Sequence, residues 1–121
     1  MKQTSHNQRA RPECDADPQR ILSPINDWFQ HQGWSPLPFQ KRTWEAHLQG
    51  LSGLIQVPTG SGKTYAAVMG PIAQMLASAN EQAGIRLLYL TPLRALGRDL
   101  AVALQQPIEA MGWPLCVGIR N

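Results

Sequence analysis

The strongest chemical signal in this 121-residue chain lies in five consecutive residues, Gly60-Ser61-Gly62-Lys63-Thr64. Two glycines let a backbone approach a bulky anion without side-chain obstruction. Lys63 adds a positive charge, and Thr64 adds a hydroxyl suited to a hard divalent cation. The short apolar run Leu54-Ile55-Gln56-Val57 precedes them, and small and apolar residues follow from Lys63 to Ala77. Strand, glycine-rich loop and helix in that order form a phosphate site, because free N–H groups and the helix dipole both face the anion. On this reading Thr59, Gly60, Ser61, Gly62, Lys63 and Thr64 hold nucleotide phosphates. Lys63 and Thr64 are also the catalytic candidates, and Thr64 is the Mg²⁺ ligand. The general pattern places one more glycine five residues before Gly62, and Val57 stands there instead. The plain alternative is a chance glycine-rich turn before an amphipathic helix. The order of the four parts argues against it.

The elements that position this loop follow from punctuation and periodicity. Residues 1–20 are polar, contain Pro12 and Pro18, and read as a disordered leader. Ser23-Pro24 reads as an N-cap and first helical residue, with Ile25, Trp28 and Phe29 on one helical face and Gly33 as the stop. Trp34-Ser35-Pro36-Leu37-Pro38 is an extended connector, since each proline pushes its predecessor out of the helical region. A second helix is expected from Gln40 to Gln49, closed by Gly50. The helix from Lys63 to Ala77 contains Pro71, where a kink is expected. Arg86 to Leu90 and Leu115 to Ile119 read as two further strands. Between them lies a helix capped by Thr91-Pro92 and interrupted at Pro107. Strands alternating with helices, each strand continuously apolar, predict an α/β fold with a parallel sheet covered by helices.

Composition narrows the class. The net charge of +3, from 11 basic and 8 acidic residues, is too mild to mark a nucleic-acid binder by itself. Cys14 and Cys116 stand alone, a pattern suited to a reducing compartment. No signal-peptide stretch and no apolar run of membrane-spanning length is present, so a cytoplasmic location away from membranes is expected. His6, His31 and His47 lack ligand spacing and read as solvated. Trp28, Phe29, Trp34, Trp44 and Trp113 read as core, with Trp34 the best candidate for stacking on a base.

Beyond the P-loop, Phe39-Gln40 lies upstream, with Gln40 23 residues before Lys63, and Thr91-Pro92-Leu93-Arg94-Ala95-Leu96 lies downstream. Together these resemble motifs of superfamily 2 helicases. The wider match, including Trp28-Phe29, Gly33-Trp34, Trp44 and Ser52-Gly53-Leu54, resembles the large helicase-related (Lhr) group, nearest to bacterial ligase-associated DExH-box helicases of the DNA damage response. The resemblance runs from about Ile21 to Asn121. It implies a partial RecA-like P-loop NTPase domain over residues 21–121, cut off before the Asp-Glu-x-His motif. It further implies ATP and Mg²⁺ as cofactors, adenine reading by Gln40, and a grip on single-stranded DNA or RNA by Thr91, Pro92 and Arg94. A DNA ligase and a nuclease are the partners implied. Each motif has a plainer reading too. Gln40 at a helix start is ordinarily solvated, and Arg94 could pair with Asp99 while Thr-Pro merely caps. After Lys63 the acidic residues are Glu81, Asp99 and Glu109, none at the end of an apolar strand. The 121 residues alone are therefore expected to bind nucleotide rather than turn it over. A stand-alone nucleotide-binding module and a P-loop kinase are the competing functions; a kinase should keep glycine at position 57.

Overall fold

The computed structural model describes residues 17–58, 60, 62–78, 84–92 and 94–120. The chain divides into two compact units, the first ending at Ala77 and the second starting at Ser78.

The first described helix begins before Ile21, within the stretch expected as a leader. Helix α1 spans Pro18–Ile21, with proline at its start and the Asp17 carboxylate accepting from the Gln19 N–H at 3.1 Å. Residues 1–16 of the expected leader lie outside the described residues. Helix α2, Ser23–His31, buries Ile25, Trp28 and Phe29 as the periodicity predicts. Its N-cap is Leu22 rather than Ser23, and no side chain caps it. The reason is continuity with α1: Leu22 stays helical, and its carbonyl already accepts from Asn26 N–H at 3.0 Å.

The far end of α2 is a Schellman closure. Gly33 adopts φ +79°, its N–H donates to Gln30 O at 3.0 Å, and Trp34 N–H donates to Phe29 O at 2.8 Å. This turn folds Trp34 back over the apolar face of its own helix. Pro36 and Pro38 keep the connector extended, and Pro38 opens α3, Pro38–Leu48, two residues before the expected start. Gly50, φ +85°, ends α3 with the same paired bonds, to His47 and Ala46.

Helix α4 spans Lys63–Ala77, the predicted bounds, and runs through Pro71. It buries Ala66, Val68, Met69, Gly70, Ile72 and Ala73. Gly70 meets α3 at very close range: a Cβ there would lie 3.3 Å from His47 Cβ and 3.4 Å from Trp44 Cα. A small-residue face is what allows this approach. His47, expected to be solvated, is instead half-buried and bonded through Nε2 to Gln74 Oε1 at 2.9 Å.

In the second unit, Arg86 donates to Ser78 Oγ at 3.1 Å, and helix α5 spans Arg94–Met111. Pro107 does not interrupt this helix as local rules suggest. It is buried beside Leu104 and Ile108, and that packing holds the helix through the missing N–H. Gly112, φ +67°, then ends it.

Segments 54–57, 86–90 and 115–119, expected as strands, form no ladder, and among the described residues there is no strand. A strand is defined by its neighbour, and these segments pair with none among the described residues: Leu54 is 83% exposed, Leu88 70% and Leu90 82%. The described architecture is helical. No described helix is long and apolar enough to cross a membrane.

Candidate nucleotide-binding site

The site is built where the chain passes from residue 60 into α4. Gly60 has φ +82° and Gly62 φ +87°, conformations that side chains resist, so the glycines here are required by the backbone path. Among the described residues nothing lies within 4 Å of a Cβ placed at Gly60. Lys63 is the first residue of α4 and is exposed; Thr64 follows, half-buried in the first turn. The first turn of α4 carries no acidic residue. Its leading N–H groups have no intrahelical partners, and the dipole adds partial positive charge there. These residues fit a polyphosphate and its cation. Thr59 and Ser61 lie outside the described residues.

Helix α3 holds this loop from the side. Gln40 is 3% exposed, and both ends of its carboxamide are engaged by backbone. Oε1 accepts from Leu37 N–H at 2.9 Å, and Nε2 donates to Gly62 O at 3.0 Å. The structure therefore brings Gln40 to the glycine loop, in contact with its main chain. One turn on, Trp44 donates its indole N–H to Tyr65 O at 2.9 Å. Contacts ascend together along the two helices, 40 with 62, 44 with 65 and 47 with 70 and 74. The two helices thus pack parallel.

An aromatic cluster completes the support. Tyr65 lies against Trp28, Phe29 and Trp34, with ring centroids 5.2, 6.1 and 6.0 Å apart. Phe29 in turn meets Trp44 edge-on at 5.5 Å. Such pairs add stability beyond area burial. Partial burial pushes the Tyr65 phenol above its ordinary value of 10.0. Trp28 Nε1 is buried, has no hydrogen-bond partner among the described residues, and belongs to an indole that packs against the Phe29, Trp34 and Tyr65 rings. Trp34, the candidate for base stacking, is 45% exposed. It forms one wall of a cleft of about 440 Å³, which Asn26, Gln30, Lys41 and Glu45 also line.

The structure reveals supports that sequence reasoning missed. Trp44 and Tyr65 were legible only as apolar positions. The signal that could have found Trp44 is its spacing, four residues after Gln40 and hence on the same helical face. In the second unit, Thr91 is half-buried, while Pro92 and Arg94 are exposed, with Arg94 opening α5. Thr91 sits three residues before the helix rather than at its cap.

A glycine-gated loop opening on Lys-Thr at a helix start, braced by an upstream glutamine, defines a nucleotide-binding class. The DEAD/DEAH box helicase family matches residues 37–120, and the chain belongs to that family. It is 35% identical over 118 residues to the Lhr helicase/probable uracil glycosylase of Mycolicibacterium smegmatis, covering 88% of this chain and 8% of that protein. To the Lhr helicase/uracil glycosylase of Escherichia coli it is 31% identical over 99 residues, covering 75% and 6%. To the ATP-dependent helicase Lhr-Core of Methanocaldococcus jannaschii it is 33% identical over 92 residues, covering 74% and 11%. The chain thus spans only a small part of the length of the curated relatives it matches. No solved structure matches it.

Proposed function

We propose that residues 21–121 form the N-terminal part of the first RecA-like domain of an Lhr-type, ATP-dependent helicase that moves on single-stranded DNA. The single observation that carries this reading is the pair of left-handed glycines, Gly60 and Gly62, opening directly on Lys63 at the start of a 15-residue helix. In this proposal backbone N–H groups from Gly60 to Thr64, with Thr59 and Ser61 between and before them, receive the phosphates. Lys63 neutralises charge on the β and γ phosphates, and the Thr64 hydroxyl holds Mg²⁺. Bound nucleotide supplies the phosphoryl group whose transfer drives movement, and the residues here bind and orient it. Gln40 reads adenine with the N–H and lone pair that its backbone bonds leave over. Thr91, Pro92 and Arg94 take the nucleic-acid backbone, where exposed Arg94 adds a cation to the leading turn of α5. In the whole domain the apolar segments 54–57, 86–90 and 115–119 would supply strands of its parallel sheet, pairing that they do not show in this chain. A role in DNA repair beside a ligase and a nuclease, in a cytoplasmic setting, belongs to the same proposal.

Titration of the chain with ATP–Mg²⁺ tests the centre of this reading. Lys63→Ala is expected to lose most of the affinity, since a charge-assisted contact to phosphate is removed. Equal binding by variant and parent would overturn it.

A further inference from the structure

We infer that Trp44 is a positioning residue for the phosphate loop, acting through its indole N–H on the first turn of α4. The inference rests on the phosphate-site reading above. The first-turn N–H groups of a helix grip an anion only if their peptide planes are held at the right angle, and those planes are fixed most directly through their carbonyls. Two carbonyls at the start of α4 are held from α3. Gly62 O accepts from Gln40 Nε2 at 3.0 Å as well as from Ala66 N–H at 3.1 Å. Tyr65 O accepts from Trp44 Nε1 at 2.9 Å, and the peptide plane it fixes carries the Ala66 N–H that donates to Gly62 O, so Trp44 acts on the loop through that bond. The two donors are one helical turn apart on α3, and the two acceptors bracket Lys63 and Thr64 on α4.

Trp44 is well suited to hold still. It is 1% exposed, its ring meets Phe29 edge-on at 5.5 Å, and its own backbone lies against Gly70. A donor so confined transmits the position of α3 to the loop without slack. Gln40 alone fixes one end of the turn; Trp44 fixes the other.

The experiment separates the N–H from the ring. Trp44→Phe keeps an aromatic ring and removes the donor. Replacement of Trp44 by β-(3-benzothienyl)alanine keeps the full bicyclic shape and removes the donor alone, and it decides the matter if Trp44→Phe fails to fold. Affinity for tripolyphosphate–Mg²⁺ and for ATP–Mg²⁺ is measured on the 121-residue chain, with circular dichroism to verify folding. Both replacements are expected to weaken binding about three- to ten-fold, the range of one neutral hydrogen bond. In parent protein labelled with ¹⁵N at indole nitrogens, the Trp44 N–H resonance is expected to move with added tripolyphosphate, at the binding midpoint. It should stay still in Lys63→Ala. A purely structural tryptophan would show neither the donor dependence nor the shift. If Lys63→Ala binds as the parent does, the phosphate-site reading falls and this inference with it. If Lys63→Ala loses binding while the benzothienyl chain binds within two-fold of the parent and the resonance is unmoved, the role of Trp44 alone is refuted.

Discussion

Gly60 and Gly62 offer a controlled comparison, because they share a backbone conformation and differ in what surrounds them. Their φ values are +82° and +87°. An alanine at either position therefore pays a similar left-handed penalty, about 1–2 kcal/mol. Each also gains the same small amount from a stiffer unfolded chain, so that term cancels in the difference. At Gly60 the new methyl meets nothing within 4 Å, whereas at Gly62 it would fall 2.6 Å from Gln40 Nε2. The carboxamide must swing away. It is 3% exposed and bonded at both ends, so the swing breaks its bond to Gly62 O. That loss adds about 0.5–1.5 kcal/mol. Gly62→Ala should therefore destabilise the chain by about 1 kcal/mol more than Gly60→Ala, a further fall in Tm of about 4 °C for a chain of this size. In a Gln40→Ala background the obstruction is gone, and the two substitutions should cost the same. Urea unfolding followed by tryptophan emission across this double-mutant cycle supplies the numbers. Equal losses for the two glycines in the parent background would show that Gln40 does not press on the loop.

Three further outcomes are expected. Gln40→Ala should narrow the preference for ATP over GTP, beyond the uniform weakening of every polyphosphate that loss of its bond to Gly62 O brings; a competition titration with an unchanged preference would remove the adenine-reading role. The raised Tyr65 phenol means that the folded chain binds its proton more tightly than the unfolded chain. Its contribution is complete well below 10.0 and is lost as pH rises through and above that value, so Tm should decline there less steeply in Tyr65→Phe; parallel profiles would refute the assignment. In hydrogen exchange, amides of 85–90 and 116–119 should exchange near the intrinsic rate while those of 66–73 are protected, because opening unpaired backbone costs almost nothing. Protection of 85–90 equal to that of α4 would show sheet pairing in the isolated chain.

The sequence was most informative where the determining forces are local. Lys63 to Ala77 could be bounded because glycines mark the entry and small residues continue without a breaker other than Pro71. Gly33 and Gly50 announced the ends of α2 and α3 because a left-handed residue is the common way to close a helix. Pairing of 54–57, 86–90 and 115–119 was not legible, since an apolar run states only that it can be a strand, not that a partner is beside it. Pro107 misled for the opposite reason: burial beside Leu104 and Ile108 outweighed a local penalty. Gln40 lay between these cases. Its distance from Lys63 foretold proximity to the loop, but nothing in that distance distinguished a base edge from Gly62 O. Trp44 was recognisable as core by its periodicity, which carries no information about where an indole N–H points.

The ring cluster around Tyr65 also has an optical consequence. Trp28 and Trp34 stand 5.4 Å apart at an interplanar angle of 85°, and Tyr65 is 5.2 Å from Trp28. Chromophores this close couple their transitions, and the sign and size of that coupling depend on mutual orientation. Tyr65 is carried by the first turn of α4, whereas both indoles are anchored on the other side of the contact. A rotation of that turn by a few degrees therefore changes the near-ultraviolet dichroism of the cluster. The glycine loop thus carries an internal, label-free spectroscopic gauge of its own orientation.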